Sequence, residues 1–367
     1  MRTVRRLLYR DIALTVSFVA LAFLALFSFI AFTEELERLK RGQSAGHAAW
    51  LAALQLPGQL YELLPIAVLI GSIISLSRLA QSSEFTILRT AGLGPGRALG
   101  LLSLPALAFA LLTFLSGDVL APIAERAAES YRAELAGGLL QRAGGAWLKD
   151  REQSGTEQER SFTVHVQAAG LDGRVEGVRV FAFDAHGRLL ERWESPRGEV
   201  DGQGLWILQN VTRALWPQGE NIRLEQTTLP ELRWQSHLSL AVVNAALLKA
   251  STMSTAELFR YTRHLSAQEQ SAGRYEIQFY RKALYPFACL VMMALALPFA
   301  YLHGRAGGIG AKVFGGIMLG ISFVLMNHLA GHLGLLQGWA PWAAAAAPAL
   351  FYLALSLSSF AWLVRYR

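Results

Sequence analysis

The sequence predicts an α-helical integral membrane protein with six transmembrane helices and one inserted all-β domain of jelly-roll type. Three observations carry that expectation. Hydrophobic residues make up 53% of the 367 positions and charged residues only 17%, against about a quarter charged in an ordinary soluble domain. Six apolar stretches each reach the ~20 helical residues that a bilayer core requires. The third and fourth are separated by a much longer connection of different composition, with short β-prone runs between Gly and Asp turns.

Ile12 to Thr33 is an uncharged run without the small-residue cleavage pattern of a signal peptide, so it reads as a retained first span. The second lies within Trp50 to Leu79, where Pro57, Glu62 and Pro65 predict a bent or partly interfacial first half. The third covers Ala98 to Val119, the fourth Ala283 to Leu302, the fifth Val313 to Leu336 and the sixth Trp342 to Val364. Three parts follow: residues 1–121, 122–277 and 278–367. Six spans put both termini on one side, and the positive-inside rule identifies it as cytoplasmic. That side carries Arg2, Arg5, Arg6, Arg10, Arg78, Arg89, Arg97, Arg305, Lys312, Arg365 and Arg367 against only Asp11 and Glu84. Since the whole chain is +7, the remainder is slightly acidic. The basic excess is therefore a topology signal, and no nucleic-acid partner is expected.

The long connection, about Pro122 to Ile277, holds five of the nine tryptophans. Val178 to Phe183 is strand-like, Asp184 to Gly187 a turn and Leu189 to Trp193 a strand. Asp201 to Gly204 is a second turn leading into Leu205 to Leu208. Such spacing suggests an antiparallel sandwich or jelly roll, placed outside the cytoplasm by the topology. Its flanks, Glu125 to Leu135 and Thr255 to Gln270, look helical.

Four features could serve function. Between spans two and three, Ser82 or Ser83 caps a helix start, Glu84 sits in its first turn, Arg89 lies late, and Gly92 and Pro95 end it. Phe85 and Leu88 share a face of that helix, which suits either a groove in a partner protein or the lipid headgroup layer. Glu84 favours the protein, because anionic headgroups repel it. At the outer end of span one, Arg38, Lys40 and Arg41 form a mixed-charge helix end with Glu34, Glu35 and Glu37. With Arg281 and Lys282 before span four, the same cations are equipped to hold phosphate through charge-assisted hydrogen bonds. In span five, Gly316, Gly320, Asn327, Gly331, Gly334 and Gly338 recur at near-heptad spacing, a thin stripe for static packing or for a moving gate. His328 and His332 share that span without a third ligand, so no metal site is expected. Glu62 is the acid closest to a membrane interior.

Missing motifs narrow the chemistry. Gly310-Ala311-Lys312 has the wrong spacing for a P-loop, and neither H-E-x-x-H nor G-x-S-x-G occurs. The single cysteine, Cys289, permits no internal disulfide. No catalytic residue and no cofactor bound by this chain are expected. Any active transport then draws on an ion gradient or a separate subunit; the scarcity of buried charge and the docking helix favour a separate ATPase. A lipid-binding scaffold or a mechanotransmission protein without a translocated substrate remains open on these residues.

Leu56 to Gly92, LPGQLYELLPIAVLIGSIISLSRLAQSSEFTILRTAG, closely resembles the signature region of the LptF/LptG permeases of lipopolysaccharide export, and its leucine-rich start is nearer the LptG branch. Gly273 to Phe299 resembles the start of their fourth span, and the layout is similar over essentially the whole chain. The resemblance implies a subunit paired with an LptF-like permease and two copies of an LptB-like ATPase, which would bind the ATP and Mg. It implies extraction of lipopolysaccharide from the bacterial inner membrane and delivery, through periplasmic β-jelly rolls, to LptC-like and LptA-like proteins. Ser83 to Ala91 corresponds to the family's coupling helix, with Glu84 as its acid and Phe85, Leu88 and Arg89 beside it. Spans one and five, with Gly316, Gly320, Asn327 and Gly331, correspond to its lateral gates. Arg38, Lys40 and Arg41 occupy the region of its lipid-phosphate contacts, although Ala31 stands where some members carry a deeper lysine.

Overall fold

The computed structural model describes residues 2–38, 44–82, 94–135, 140–152, 160–170, 172–216, 225–247, 252–267, 273–301 and 309–365. The chain divides into two compact units, one of residues 1–125 with 273–367 and one of residues 126–272.

The first unit is a helix bundle. Its helices are α1 (Arg2–Arg38), α2 (Ala45–Gln81), α3 (Pro95–Phe114) and, after the β unit, α7 (Gly273–Leu284), α8 (Phe287–Tyr301), α9 (Ile309–Gln337) and α10 (Pro341–Arg365). A π-helical turn, Leu115–Leu120, joins α3 to α4 (Ala121–Leu135), making one apolar helical run from Gly96 to Arg132. Among the described residues, five helical runs are long and apolar enough to cross a membrane, and α7 with α8, bent by 52° and counted as one span, makes a sixth. The fourth expected span is therefore a broken one. The bend falls at Tyr285-Pro286, where a proline removes a backbone donor and cannot continue the helix it follows.

The expected interruption of span two does not occur as a break: α2 runs through both Pro57 and Pro65. Neighbouring helices hold such a segment together, since in a bilayer the freed carbonyls find partners inside the bundle. Within the apolar window of α2, 83% is buried, against 28% for α1, the α3 run, α9 and α10. Thus α2 is the central post, with α8 against it and the others around. Lipid tails are as apolar as leucine, so close packing rather than burial from water holds helices together in this medium. The sequence supplies small residues for it. A Cβ at Gly71 would lie 2.6 Å from the Val16 Cα, so α1 crosses α2 nearly backbone to backbone. Buried hydroxyls add specific links: Ser75 donates to the Asp11 carboxylate at 2.5 Å, and Ser72 to the Met293 sulfur at 3.0 Å.

The second unit is built on a six-stranded antiparallel sheet: β1 (Leu140–Glu152), β2 (Arg160–Ala169), β3 (Arg174–Phe183), β4 (Leu189–Val200), β5 (Leu205–Leu215) and β6 (Glu225–Gln235). Each strand pairs with its sequence neighbours, in the order β1 to β6. Alternation of apolar and polar residues gives one face to the core. That face carries Phe162, Val164 and Val166 of β2, Val180 and Ala182 of β3, Trp193 of β4, and Trp206 and Leu208 of β5. Phe162, Trp193, Trp206 and Trp234 form a connected ring cluster with centroids 5.2 to 6.0 Å apart. The alternation resets in β5 at Asn210, which takes φ 53 between an exposed Gln209 and a buried Val211. Asparagine tolerates that left-handed conformation better than a branched residue. Helix α5 (Leu240–Leu247) packs on β1 and β2, and α6 (Thr255–Ala267) follows it. The expected helical flanks are thus α4 and α6.

The two edges of the sheet are linked. Asp150 on β1 is buried and accepts from the Ser236 hydroxyl at 2.6 Å and the His237 amide at 3.0 Å, just beyond β6. Ser236 in turn accepts from the Leu238 amide at 3.0 Å, whose carbonyl takes the Trp206 indole N–H at 3.0 Å.

Candidate functional site

The polar groups of the bundle gather where α2, α7, α8 and α9 meet. Tyr285, at the α7–α8 bend, is buried and lies 4.6 Å, centroid to centroid, from Tyr61. Its hydroxyl donates to the Glu62 carbonyl at 2.7 Å. Pro65 lies beside this contact: it supplies no donor to the Tyr61 carbonyl one turn back, and its ring crowds the helix there. Arg281 and Glu62 both lie within electrostatic reach of Tyr61 and of His328. Glu62, Arg281 and His328, three separate features in the sequence, therefore belong to one polar belt.

The belt's depth follows from helix geometry. Glu62 is nineteen residues before the end of α2 at Gln81, about 28 Å at 1.5 Å per residue. Since a bilayer core is about 30 Å thick, the belt stands near the interface opposite the basic helix ends. Glu62 keeps its side chain exposed there, which fits an interfacial rather than a deeply intramembrane carboxylate. Arg281, in the last turn of α7, presents a planar fork of donors suited to a phosphate or carboxylate. Lys282 beside it is buried.

At the C-terminal end of α1, Arg38 is exposed and pairs with Glu35 at 3.8 Å. Glu35 itself is 4% exposed and accepts from Gln55 Nε2 at 2.9 Å, tying α1 to α2. Mixed charge at this span end thus serves packing as well as solvation. Lys40 and Arg41 lie outside the described residues, as does the whole coupling segment with Glu84, Phe85, Leu88 and Arg89.

The glycine stripe of α9 divides into parts with different neighbours. A Cβ at Gly316 or Gly320 would come within 2.7 Å of Ile73 or Ile66, so these two seat α9 on α2. Asn327 is buried on the same side, while the Gly331 position meets open space. Gly334 faces Ala344 of α10. Gly338 lies beyond the helix at φ +65, and Trp339 donates its amide to the Gly334 carbonyl at 3.0 Å, a Schellman termination. The other side of α9, with Phe314, Ile321 and Leu325, is exposed, as are Leu14, Phe18 and Leu21 of α1. These are two long apolar stripes exposed among the described residues. His332 approaches the His328 carbonyl with its ring nitrogen at 3.2 Å, and no group of three metal-ligating side chains occurs among the described residues.

Reading the residues one at a time missed the meeting of Tyr61, Glu62, Arg281 and Tyr285. The available signal was Tyr285-Pro286 at the head of span four, a bend marker directly after a basic pair. Asp150 was missed too, because it stands among the charged residues Lys149, Arg151 and Glu152 and so looks like part of a solvated run.

Comparison with known proteins agrees with this architecture. The family model described as lipopolysaccharide export system permease LptF/LptG matches residues 6–365. The lipopolysaccharide export system permease protein LptG of Escherichia coli strain K12 is 26% identical over 356 residues, 96% of each chain. The protein of the same name from Haemophilus influenzae is 26% identical over 313 residues, 84% of each chain. With spans and β unit both inside the matched region, the chain belongs to the LptF/LptG family of lipopolysaccharide export permeases.

Proposed function

We propose that this chain is the non-catalytic permease subunit of an ATP-driven exporter that lifts lipopolysaccharide out of the bacterial inner membrane and passes it toward the outer membrane. The observation that carries the reading is the family match across both sets of spans and the β unit between them. Eleven basic residues along one side of the spans support cytoplasmic termini and a periplasmic β unit. The sequence lacks a P-loop, so the work comes from a separate ATPase dimer of the LptB kind, which supplies ATP and Mg.

In this scheme the ATPase closes against Ser83 to Ala91, with Glu84 and Phe85 as the contact. Movement there passes along the helices that flank it, α2 and α3. The exposed stripes of α1 and α9 are the faces that meet an LptF-like sister permease, and between them the lipid enters. Arg281 of the polar belt, with Arg38, Lys40 and Arg41, holds the phosphorylated headgroup at the outer interface, where reduced screening strengthens charge-assisted bonds. The β unit then receives the lipid and hands it to LptC-like and LptA-like partners.

Native mass spectrometry of the tagged chain, gently solubilised from its own membranes, tests this. The expected species contains a related permease, two ATPase copies and lipopolysaccharide. A lone chain or homodimer without a nucleotide-binding subunit, stable across mild detergents, would replace the exporter with a receptor or scaffold.

A further inference from the structure

A crevice of about 440 Å³ opens among α8, α9 and α10, within the range of small-molecule sites. Its walls are Leu295, Pro298 and Phe299 of α8, Leu319 of α9, and Leu355, Ser359 and Trp362 of α10. From Leu355 to Trp362 is seven residues, about 10 Å along the helix, or roughly a third of the bilayer core. The crevice is therefore confined to one leaflet. It is the leaflet of the basic helix ends, because Trp362 stands one turn before Arg365 and is 61% exposed, as an interfacial tryptophan is.

Three kinds of occupant are conceivable, and the lining separates them. A cluster of water needs several polar partners per molecule, whereas this wall offers one hydroxyl and one indole N–H. A transmembrane helix from a partner lies along a groove as long as its own span, about 30 Å, whereas this crevice extends only about 10 Å along α10. An acyl chain needs neither and fills apolar volume without a directional partner. We propose that the crevice is a binding site for one acyl chain of a glycerophospholipid from the cytoplasmic leaflet, a lipid distinct from the exported one. The assignment of leaflet rests on the orientation proposed above; the exported lipid enters near the opposite interface.

The test uses the wild-type chain with its copurifying partners, in nanodiscs of phosphatidylethanolamine and phosphatidylglycerol doped with a phosphatidylglycerol whose acyl chain carries a diazirine. After irradiation, adducts are mapped by peptide mass spectrometry. Leu107 and Leu111 of α3, 59% and 58% exposed, report labelling by bulk lipid. Adducts on the crevice residues about tenfold above those two positions, competed by unlabelled phosphatidylglycerol and reduced to the α3 level in Leu355→Trp, are expected. Equal labelling everywhere means annular lipid only and overturns the site, as does competition by lipopolysaccharide but not by phospholipid. The wild-type map stands even if the variant fails to fold. A cysteine added after Arg367 separates this inference from the reading it rests on: reaction with an impermeant maleimide in intact spheroplasts would overturn the leaflet assignment while leaving the adduct map in place, and protection until the cells are opened supports it. None of these readouts needs ATP or export.

Discussion

Asp150 shows how much one side chain can decide. It is 3% exposed and ionisable, and its burial is tolerated because a hydroxyl and an amide both point at it. Asp150→Ala leaves those donors without their acceptor; hydrogen bonds to charged groups are worth about 1.5–3 kcal/mol each, so losing the two is expected to cost about 3–6 kcal/mol. The five tryptophans of residues 122–277 make intrinsic fluorescence during urea unfolding the natural measurement, and an unchanged midpoint would refute the clamp. Asp184 behaves differently because it lies half-buried in a surface turn. The Arg188 amide at 2.8 Å, the His186 amide at 2.9 Å and the Arg188 guanidinium hold its carboxyl below the ordinary range. A depressed folded value stabilises above the unfolded one, near 3.9, and the benefit is lost as pH falls through the folded value. Asp184→Asn should therefore melt slightly below wild type at neutral pH, with the two converging in acid; a constant gap at every pH would mean that charge is not the cause.

Among the elements, α2 stands out because its sequence predicted a bent or partly interfacial first half and its structure runs as one continuous helix. Pro57 and Pro65 each remove one backbone donor, which is costly for an isolated helix, yet α1, α8 and α9 enclose this one. Tertiary packing overrides the local signal, and that packing involves residues far away in sequence, such as Val16 and Met293. Gly71→Leu should separate α1 from α2 and lower the yield of folded chain sharply, whereas Gly331→Leu, at a position meeting open space, should leave the folded monomer intact. Size-exclusion profiles of the two variants in the same detergent check the contrast. The strands were legible for the opposite reason. Asp184 to Gly187 and Asp201 to Gly204 are turns written locally, and the apolar alternation beside them gives β3 to β5 directly. Strand β1 was not, since its core residues Ala146 and Leu148 alternate with Trp147 and Lys149 and stop at the buried Asp150.

At the level of the whole molecule, the number of spans and the inserted β unit followed from composition and hydropathy, because a bilayer imposes its thickness on every helix that crosses it. The meeting of Glu62, Arg281 and His328 did not, since it depends on the bend at Tyr285-Pro286 and on the seating of Gly316 and Gly320 against α2. The proposed coupling to an ATPase belongs to this scale too. Glu84→Arg is expected to lower ATPase recovery in affinity purifications by about tenfold or more, as a charge reversal at a desolvated contact costs 2 kcal/mol or more; full recovery with normal export would remove Glu84 from that role. The meander order of the sheet has a consequence for biosynthesis. Each strand finds its partner in the segment made just before it, so pairing can advance as the chain emerges, without waiting for distant sequence. The Asp150 link, which joins residues 86 apart, and the packing of α5 on β1 and β2 are not local in this way. Both form only after residues 236 and 240–247 have been made, so the first strand of the meander is tied to the end of the domain last.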